Sequence, residues 1–427
     1  MTSRPVKTRL GLCAAAAGAS LAALAASAPP AAQAPAAAPS CSIQTTERVV
    51  AVGDVHGGYE RLLAILREAG LIDARRRWRG GRAILVQTGD LLDRGPDSRE
   101  ILDLLRRLER DAARAGGRVH ALLGNHEVGR MLGDYRYVSE AEYAAFRLAD
   151  SQALREQLYQ ILAGDRRAQA SAAGAEFDER AFREQFLAEI PLGRIEMQQA
   201  FAPTGEYGQW LRGHDAMVVI NGIAFLHGGV SPDVAPLGCA GINAGVRAEI
   251  DTVSLGDPGV LETLVAGPAG PLWYRGYFET PPLAPEQVDA ILAQLGVRAL
   301  VVGHTVATDF RIAAHYGGRV FQIDTGLLGG DIYKGGVPSA IEFNRGAVTA
   351  IYEGRREPLA TLDASVVQHR GFAFGRDARP DQRQNRVAPR EQRADLSVAH
   401  VAADPLLQIL ELQPFDSGEQ RAREHRE

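Results

Sequence analysis

The chain has 427 residues and a formal net charge of −5, with 47 Lys and Arg slightly outnumbered by 52 Asp and Glu. That balance excludes a nucleic-acid binder held by charge, which needs a basic surface to meet phosphates. Composition is that of a soluble globular protein, long enough for one large or two ordinary domains with a buried core.

The leader stands apart from the rest. MTSRPVKTR carries three basic residues and no acid, and LGLCAAAAGASLAALA is too short and alanine-rich for a membrane span. Ala23-Leu24-Ala25 fits a signal-peptidase site, so residues 1–25 read as a bacterial signal peptide. The expectation is a secreted or periplasmic chain without a membrane span after cleavage. An uncleaved anchor or a disordered alanine-rich leader is the alternative. Residues 26–46 form a linker that opens ASAPPAAQAPAAAPS and has nothing to build a core from. Order is expected from Glu47. Cleavage leaves Cys41 and Cys239, which can pair in an oxidising compartment or remain separate thiols.

RVVAVGD then predicts a buried strand and YERLLAILREAG a helix with Leu62, Leu63, Leu66 and Ala69 on one face. RAILVQTGD is a second strand. A helix follows from Ser98 to about Ala115, with Asp97 and Glu100 as a capping-box pair at its start. VHALLGN is a third strand. This alternation calls for parallel pairing in a layered α/β sheet, with ligands at the strands' carboxyl ends. Residues 131–204 read as a charged helical insertion over the sheet edge, either a lid or a plain structural addition. AMVVI, IAFLHGG, RALVVGHT, RVFQIDTG, SAIEF and AVTAIY predict strands of a second sheet packed on the first. The domain is expected to run over 47–361, and the Arg/Gln/Asp-rich 362–427 to be a mostly disordered tail with PLLQILEL as its apolar island.

Five of those strand ends carry the chemistry. GDVHGG supplies Asp54 and His56, and GDLLDRGPDS supplies Asp90, Asp93 and Arg94. GNHE supplies Asn125 and His126, FLHGG His227, and VVGHT His304. Taken singly, an Asp after a strand is a turn former, an Asn a helix cap, and a His a hydrogen-bonded structural residue. Taken together on one sheet edge, imidazoles, carboxylates and an amide are ligands for two adjacent divalent cations of borderline hardness. Manganese, iron and zinc all suit that mixture. A carboxylate such as Asp90 is the side chain suited to bridge them, and paired metals serve in-line displacement at phosphorus. Arg94 offers a guanidinium fork for phosphate oxygens. His126, next to a ligand yet pointing away from the metal, is placed as a general acid that Asp93 could orient. Arg275 in PLWYRGY is either a second phosphate clamp or a structural arginine packed beside Trp273 and Tyr274.

With those residues in view, the sequence resembles the calcineurin-like metallophosphoesterase superfamily. More closely it resembles the phosphoprotein phosphatases, whose blocks GDxHG, GDxxDRG and GNHE occur here in order, followed by HGG and GHT. The resemblance covers about residues 48–352, and WYRG with the long insertion after GNHE is similar to the Shewanella-like branch. It implies an α/β fold with a central β-sandwich flanked by helices. It also implies two divalent metal ions: Asp54, His56 and His304 would hold one, Asn125 and His227 the other, and Asp90 would bridge them. Arg94 and Arg275 would bind phosphate, Asn125 could touch it, and His126 with Asp93 would form the acid pair. The implied reaction is hydrolysis of phosphotyrosine or phosphoserine/threonine in a protein or peptide, by attack of a hydroxide held between the metals. DTGLLGG stands where eukaryotic serine/threonine phosphatases carry SAPNY, so their docking rules do not transfer. A symmetrical dinucleoside tetraphosphate hydrolase has closely related blocks. A metal-stabilised binding module without turnover is the alternative outside enzymes.

Overall fold

The computed structural model describes residues 41–362. The expected signal peptide, the linker to residue 40 and the tail after 362 lie outside the described residues.

Two six-stranded mixed sheets face each other. The first takes its parallel centre from β2 (Val49–Val52), β3 (Ile84–Gln87) and β4 (Arg118–Ala121). The crossovers between them are α1 (Tyr59–Glu68) and α2 (Ser98–Arg114), as alternating strand and helix patterns require. The second sheet holds β1 (Ser42–Ile43), β5 (Met217–Ile220), β6 (Ile223–Leu226), β7 (Ala299–Val302), β8 (Ala313–His315) and β9 (Val320–Gln322). Within it β6, β7 and β9 run parallel.

Side-chain alternation builds the layers. Val49 and Ala51 of β2, Ile84 and Val86 of β3, Ile223 and Phe225 of β6, and Ala299 and Val301 of β7 fill the space between the sheets. Their neighbours Val50, Val52, Leu85, Ala224, Leu226, Leu300 and Val302 face outward into a second core shared with Leu62 and Leu66 of α1 and Ile101, Leu105 and Leu108 of α2. Strands buried on both faces explain why the sequence shows continuous apolar runs rather than a clean alternation. Each Val, Leu, Ile or Phe side chain so enclosed contributes about 1.5–3 kcal/mol.

Three expectations need correction. SAIEF and AVTAIY do not extend the second sheet. They form β10 (Ser339–Asn344) and β11 (Ala347–Tyr352), which with β12 (Arg355–Thr361) return to the first sheet through antiparallel pairing of β10 with β2. The linker expected through residue 46 gives way to structure earlier: β1 pairs with β5, and Cys41 is disulfide-bonded to Cys239 with Cα atoms 6.1 Å apart. Asp97 does occupy the N-cap of α2, but its side chain makes no capping bond, so the expected capping box is absent. Its backbone N–H instead donates to the Gly57 carbonyl at 3.2 Å and ties the helix start to the loop after β2.

The segment after GNHE is helical as read. α3 (Asn125–Met131) is followed by α4 (Glu140–Ala145), α5 (Ser151–Ala172), α6 (Glu179–Glu189), α7 (Arg194–Phe201) and α8 (Glu206–Arg212). Its two parts differ in what they bury. Leu158, Tyr159, Ala163 and Phe186 of α5 and α6 form a separate small cluster with Ile195, whereas Tyr143, Phe146, Met197 and Phe201 belong to the main core. α9 (Gly238–Ile250) and α10 (Pro285–Leu295) cover the outer face of the second sheet.

Candidate metal centre

The loops that leave β2, β3, β4, β6 and β7 bring Asp54, His56, Asp90, Asp93, Asn125, His126, His227 and His304 together, all buried. Their backbones are bent to do so. His56 (φ 47°), Asp90 (58°), Asp93 (70°), Arg94 (69°) and His304 (62°) occupy the left-handed region, a costly conformation that clusters at functional sites. Glycine makes room beside them: a Cβ on Gly124 would collide with the Asp90 carboxylate, and one on Gly303 with that of Asp54.

Asp90 lies at the middle. Its Oδ2 is 3.6 Å from His56 Nε2 and 3.7 Å from His126 Nε2, while Oδ1 is 3.3 Å from His227 Nε2. Asp54 Oδ2 stands 3.9 Å from His56 Nε2. On the other side His227 Nε2 meets Asn125 Oδ1 at 2.9 Å and His304 Nδ1 at 3.1 Å. Separations near 3 Å are what donors around one small cation require, given ligand bonds of about 2.0–2.2 Å. Two donor groups with potential ligand atoms within 4.8 Å therefore share Asp90: His56 with His126, and His227 with His304.

Protons and charge point the same way. His56 Nδ1 lies 2.9 Å from the Leu92 carbonyl and His227 Nδ1 3.0 Å from that of Thr88, which assigns the ring hydrogens outward and leaves each Nε2 lone pair facing the centre. Burial pushes His56 down to about 3, and burial, with His227 and Arg275 close by, holds His304 well below the usual imidazole range. Both are neutral ligands in waiting. Burial, then the nearby Asp324 and Asp90, raises Asp54 far above an ordinary carboxylate, and burial raises Asp324. Asp90 goes the other way. Burial opposes its ionisation, but the imidazoles of His227, His126 and His56 around it prevail and keep it well below the usual range. Three buried carboxylates this close demand protons or cations, and the lone pairs converging on either side of Asp90 fit two divalent ions.

His126 and Asp93 are joined at 2.5 Å through Nδ1 and Oδ2. Burial would lower His126, but the charges of Asp90 and Asp93 and the Asp93 hydrogen bond outweigh it, so its pKa rises. Arg94 makes no ion pair among the described residues; its guanidinium lies 5.5 Å from the Tyr333 ring centroid. Arg275 donates to the His304 carbonyl at 2.9 Å and to Thr305 Oγ1 at 3.2 Å. That geometry aims it at the centre, and it feels the Asp54, Asp90 and Asp324 carboxylates. Aromatic rings rim the site. Tyr137 lies 5.2 Å from His126, Trp273 5.7 Å from His304, and Tyr333 6.2 Å from His56.

The structure thus collects all ten singled-out residues. It adds others that the sequence reading passed over. Asp324 follows β9 as Asp54 follows β2, so the same strand-end rule would have found it. Glu127, inside GNHE, accepts the backbone N–H groups of Asp90 (2.8 Å), Leu91 (2.7 Å) and Gly124 (2.8 Å) and so fixes the β3 and β4 loops together. Arg130 binds Asp93. The resemblance put His304 with Asp54 and His56; its backbone N–H does donate to both Asp54 oxygens, at 3.0 and 3.1 Å, while its ring Nδ1 lies 3.1 Å from His227 Nε2 and groups with His227 and Asp90.

Comparison with known proteins agrees with this geometry. Residues 47–307 match the family described as calcineurin-like phosphoesterase. Shewanella-like protein phosphatase 2 of Arabidopsis thaliana is 30% identical over 306 residues, which is 70% of this chain and 75% of that protein. The crystal structure of the cold-active protein-tyrosine phosphatase of a psychrophile, Shewanella sp., superposes with a TM-score of 0.56 at 27% identity, covering 74% of this chain and 82% of the other. Similarity to the symmetrical bis(5'-nucleosyl)-tetraphosphatase of Cronobacter sakazakii is local: 38% identity over 77 residues, 18% of this chain and 22% of that enzyme. Folded as a helix-flanked pair of mixed sheets with its metal-type ligands at the strand ends, the chain belongs to the calcineurin-like metallophosphoesterases, among relatives named Shewanella-like protein phosphatases.

Proposed function

We propose that the chain is a metal-dependent phosphoprotein phosphatase that hydrolyses phosphate monoesters, phosphotyrosine foremost. The reading rests on one juxtaposition above all: a proton-bearing imidazole and two guanidinium groups converge on the carboxylate–imidazole cluster around Asp90. We assign Asp54, His56 and Asp90 to one ion, and Asp90, Asn125, His227 and His304 to the other, with manganese as the expected metal and iron or zinc as alternatives. When bound, the two ions supply Lewis acidity and an acidified water for in-line attack at phosphorus.

The chain's own groups do the rest. Arg94 and Arg275 grip phosphoryl oxygens through their planar forks and offset charge that grows in the transition state. Asp93 accepts from His126 Nδ1, which leaves Nε2 to carry the proton that the departing alkoxide or phenoxide needs. Tyr137, Trp273 and Tyr333 border the site with aromatic surface suited to a flat phenyl ester, and the similar Shewanella enzyme is named a protein-tyrosine phosphatase. We also propose that the chain acts outside the cytoplasm. The leader's composition supports this, as does the Cys41–Cys239 pair, which an oxidising compartment permits.

The test is phosphate release, with Mn²⁺, from a phosphotyrosine peptide, a phosphoserine peptide and diadenosine tetraphosphate side by side. Faster release from phosphotyrosine than from phosphoserine, with little dinucleotide cleavage, is the expected outcome. Cleavage of the dinucleotide alone, yielding nucleoside diphosphates, would move the chain to the tetraphosphatase reading.

A further inference from the structure

We infer that the helical insertion is a brace for the general acid, acting through Arg130 as a positioning residue; the inference rests on the phosphatase reading above. Arg130 lies one helical turn after His126 on α3, an i, i+4 spacing that puts both side chains on one face. Each binds a different oxygen of the same carboxylate: His126 Nδ1 meets Asp93 Oδ2 at 2.5 Å, and Arg130 Nη2 meets Asp93 Oδ1. The carboxylate is thereby held on both oxygens, and its orientation sets where the imidazole points.

What holds Arg130 comes from the insertion. The side chain is 1% exposed. Its guanidinium lies 5.3 Å from the ring of Tyr135 and 5.4 Å from that of Phe201, and Nη1 contacts Met197 Sδ at 2.9 Å. Glu142 Oε1 sits 4.0 Å from Nη2 and also accepts the Asp93 backbone N–H at 3.2 Å. Glu142 Oε2 in turn accepts the Ser139 N–H at 3.2 Å, part of a capping box at the start of α4. Tyr135, Ser139, Glu142, Met197 and Phe201 all fall within residues 131–204. So the insertion grips Asp93 twice, at its backbone through Glu142 and at its side chain through Arg130.

Burying an arginine between two carboxylates and two aromatic rings is an expensive way to make a core, since apolar residues of similar volume would be as stable or more so. A fixed fork gives something that apolar packing cannot: a set direction for the acid. Lysine in place of Arg130 keeps the charge but offers a point donor instead of a planar fork. The acid pair should then survive with a looser aim.

The experiment compares wild type, Arg130→Lys and the near-isosteric Glu142→Gln with Mn²⁺ bound. The substrates are aryl phosphates of graded leaving-group pKa and an alkyl phosphate. Proton donation contributes about 10²–10⁴-fold where the leaving group is poor. Arg130→Lys is therefore expected to lose about 10–100-fold in kcat on the alkyl ester and about threefold or less on 4-nitrophenyl phosphate, with KM near wild type. Glu142→Gln should show the same selectivity more weakly, and it reads the proposal if Arg130→Lys fails to fold. In a His126→Asn background neither change should cost anything further, because the acid it would position is gone. Equal losses on all esters, or losses that add to that of His126→Asn, would reduce Arg130 to a structural residue. A wild-type chain that releases phosphate from none of these esters refutes the phosphatase reading, and this role with it.

Discussion

Asp324 gives the sharpest test of the electrostatics at the centre. It is 1% exposed, its Oδ1 accepts the Gly326 N–H at 2.9 Å, and its buried Oδ2 has no donor unless the neighbouring Asp54 carboxyl keeps a proton. Two buried carboxyl groups in contact cannot both stay ionised, and a buried acceptor left without a donor costs about 1–3 kcal/mol. Asp324→Asn removes the charge and supplies an N–H₂ to Asp54 in the same volume. With metal chelated, the variant is expected to be about 1–3 kcal/mol more stable at neutral pH, a rise in Tm of about 2–4 °C per kcal/mol for a domain of this order of size.

The pH dependence carries a definite sign. Asp54 and Asp324 have raised pKa values in the folded chain, so above the ordinary carboxylate range the folded state holds protons the unfolded state has released. Stability of the chelated wild type should therefore fall as pH rises from that range through the raised values. The variant should show a shallower fall, because one of the two groups is gone. Bound metal does part of the same neutralising work, so Mn²⁺ should raise the Tm of Asp324→Asn less than that of wild type. Thermal melts at pH 5 and 7.5, with chelator and with Mn²⁺, read all three. A chelated variant that melts at or below wild type at pH 7.5 would refute the reasoning, because the carboxylates would then not be in conflict.

Three further outcomes are expected. Asp90→Asn weakens the one ligand both donor groups share, and should lower metal content and cost at least about 100-fold in turnover; near-normal occupancy and rate would take Asp90 out of the centre. His126→Asn should cost most on poor leaving groups and least on 4-nitrophenyl phosphate. Because the pKa of His126 is raised, wild-type activity on the poor esters should persist above the ordinary imidazole range and fall as pH passes the raised value, a limb the variant lacks. Replacing Cys41 and Cys239 by serine should cost about 2–5 kcal/mol of stability while leaving KM unchanged, and unchanged melting would mean the pair contributes nothing in solution.

How far the sequence reveals this centre depends on whether the signal is local. Asp54, Asp90, Asn125, His227 and His304 each follow an apolar strand within a few residues, and parallel strands align their carboxyl ends without further information. The convergence was therefore legible from chain order alone. Asp324 obeys the same rule after β9 and was missed only because no block drew attention to it. The return of β10 and β11 to the first sheet could not be read: SAIEF is apolar enough for either sheet, and the choice lies in its pairing with β2, nearly 300 residues away. β1 is two residues long, with no periodicity to detect, and is defined by its pairing with β5 and by the Cys41–Cys239 bond beside it.

The side of Asp90 that His304 joins was equally hidden. A single loop residue carries no information about which neighbour its ring turns to, and the left-handed backbone that turns it has no side-chain signature in GHT. Arg130 is the intermediate case. Its i, i+4 relation to His126 is visible in GNHEVGR, but an arginine four residues after a histidine on a short helix is ordinarily solvated. Only the burial contributed by Tyr135, Met197 and Phe201, from sequence 5 to 71 positions later, converts that spacing into a grip on Asp93. Strand-end rules thus find the groups that bind and react, because those must sit where strands stop. The residues that aim them can come from anywhere the fold brings a side chain, and here Arg130 does so from α3 with its supports drawn from the insertion.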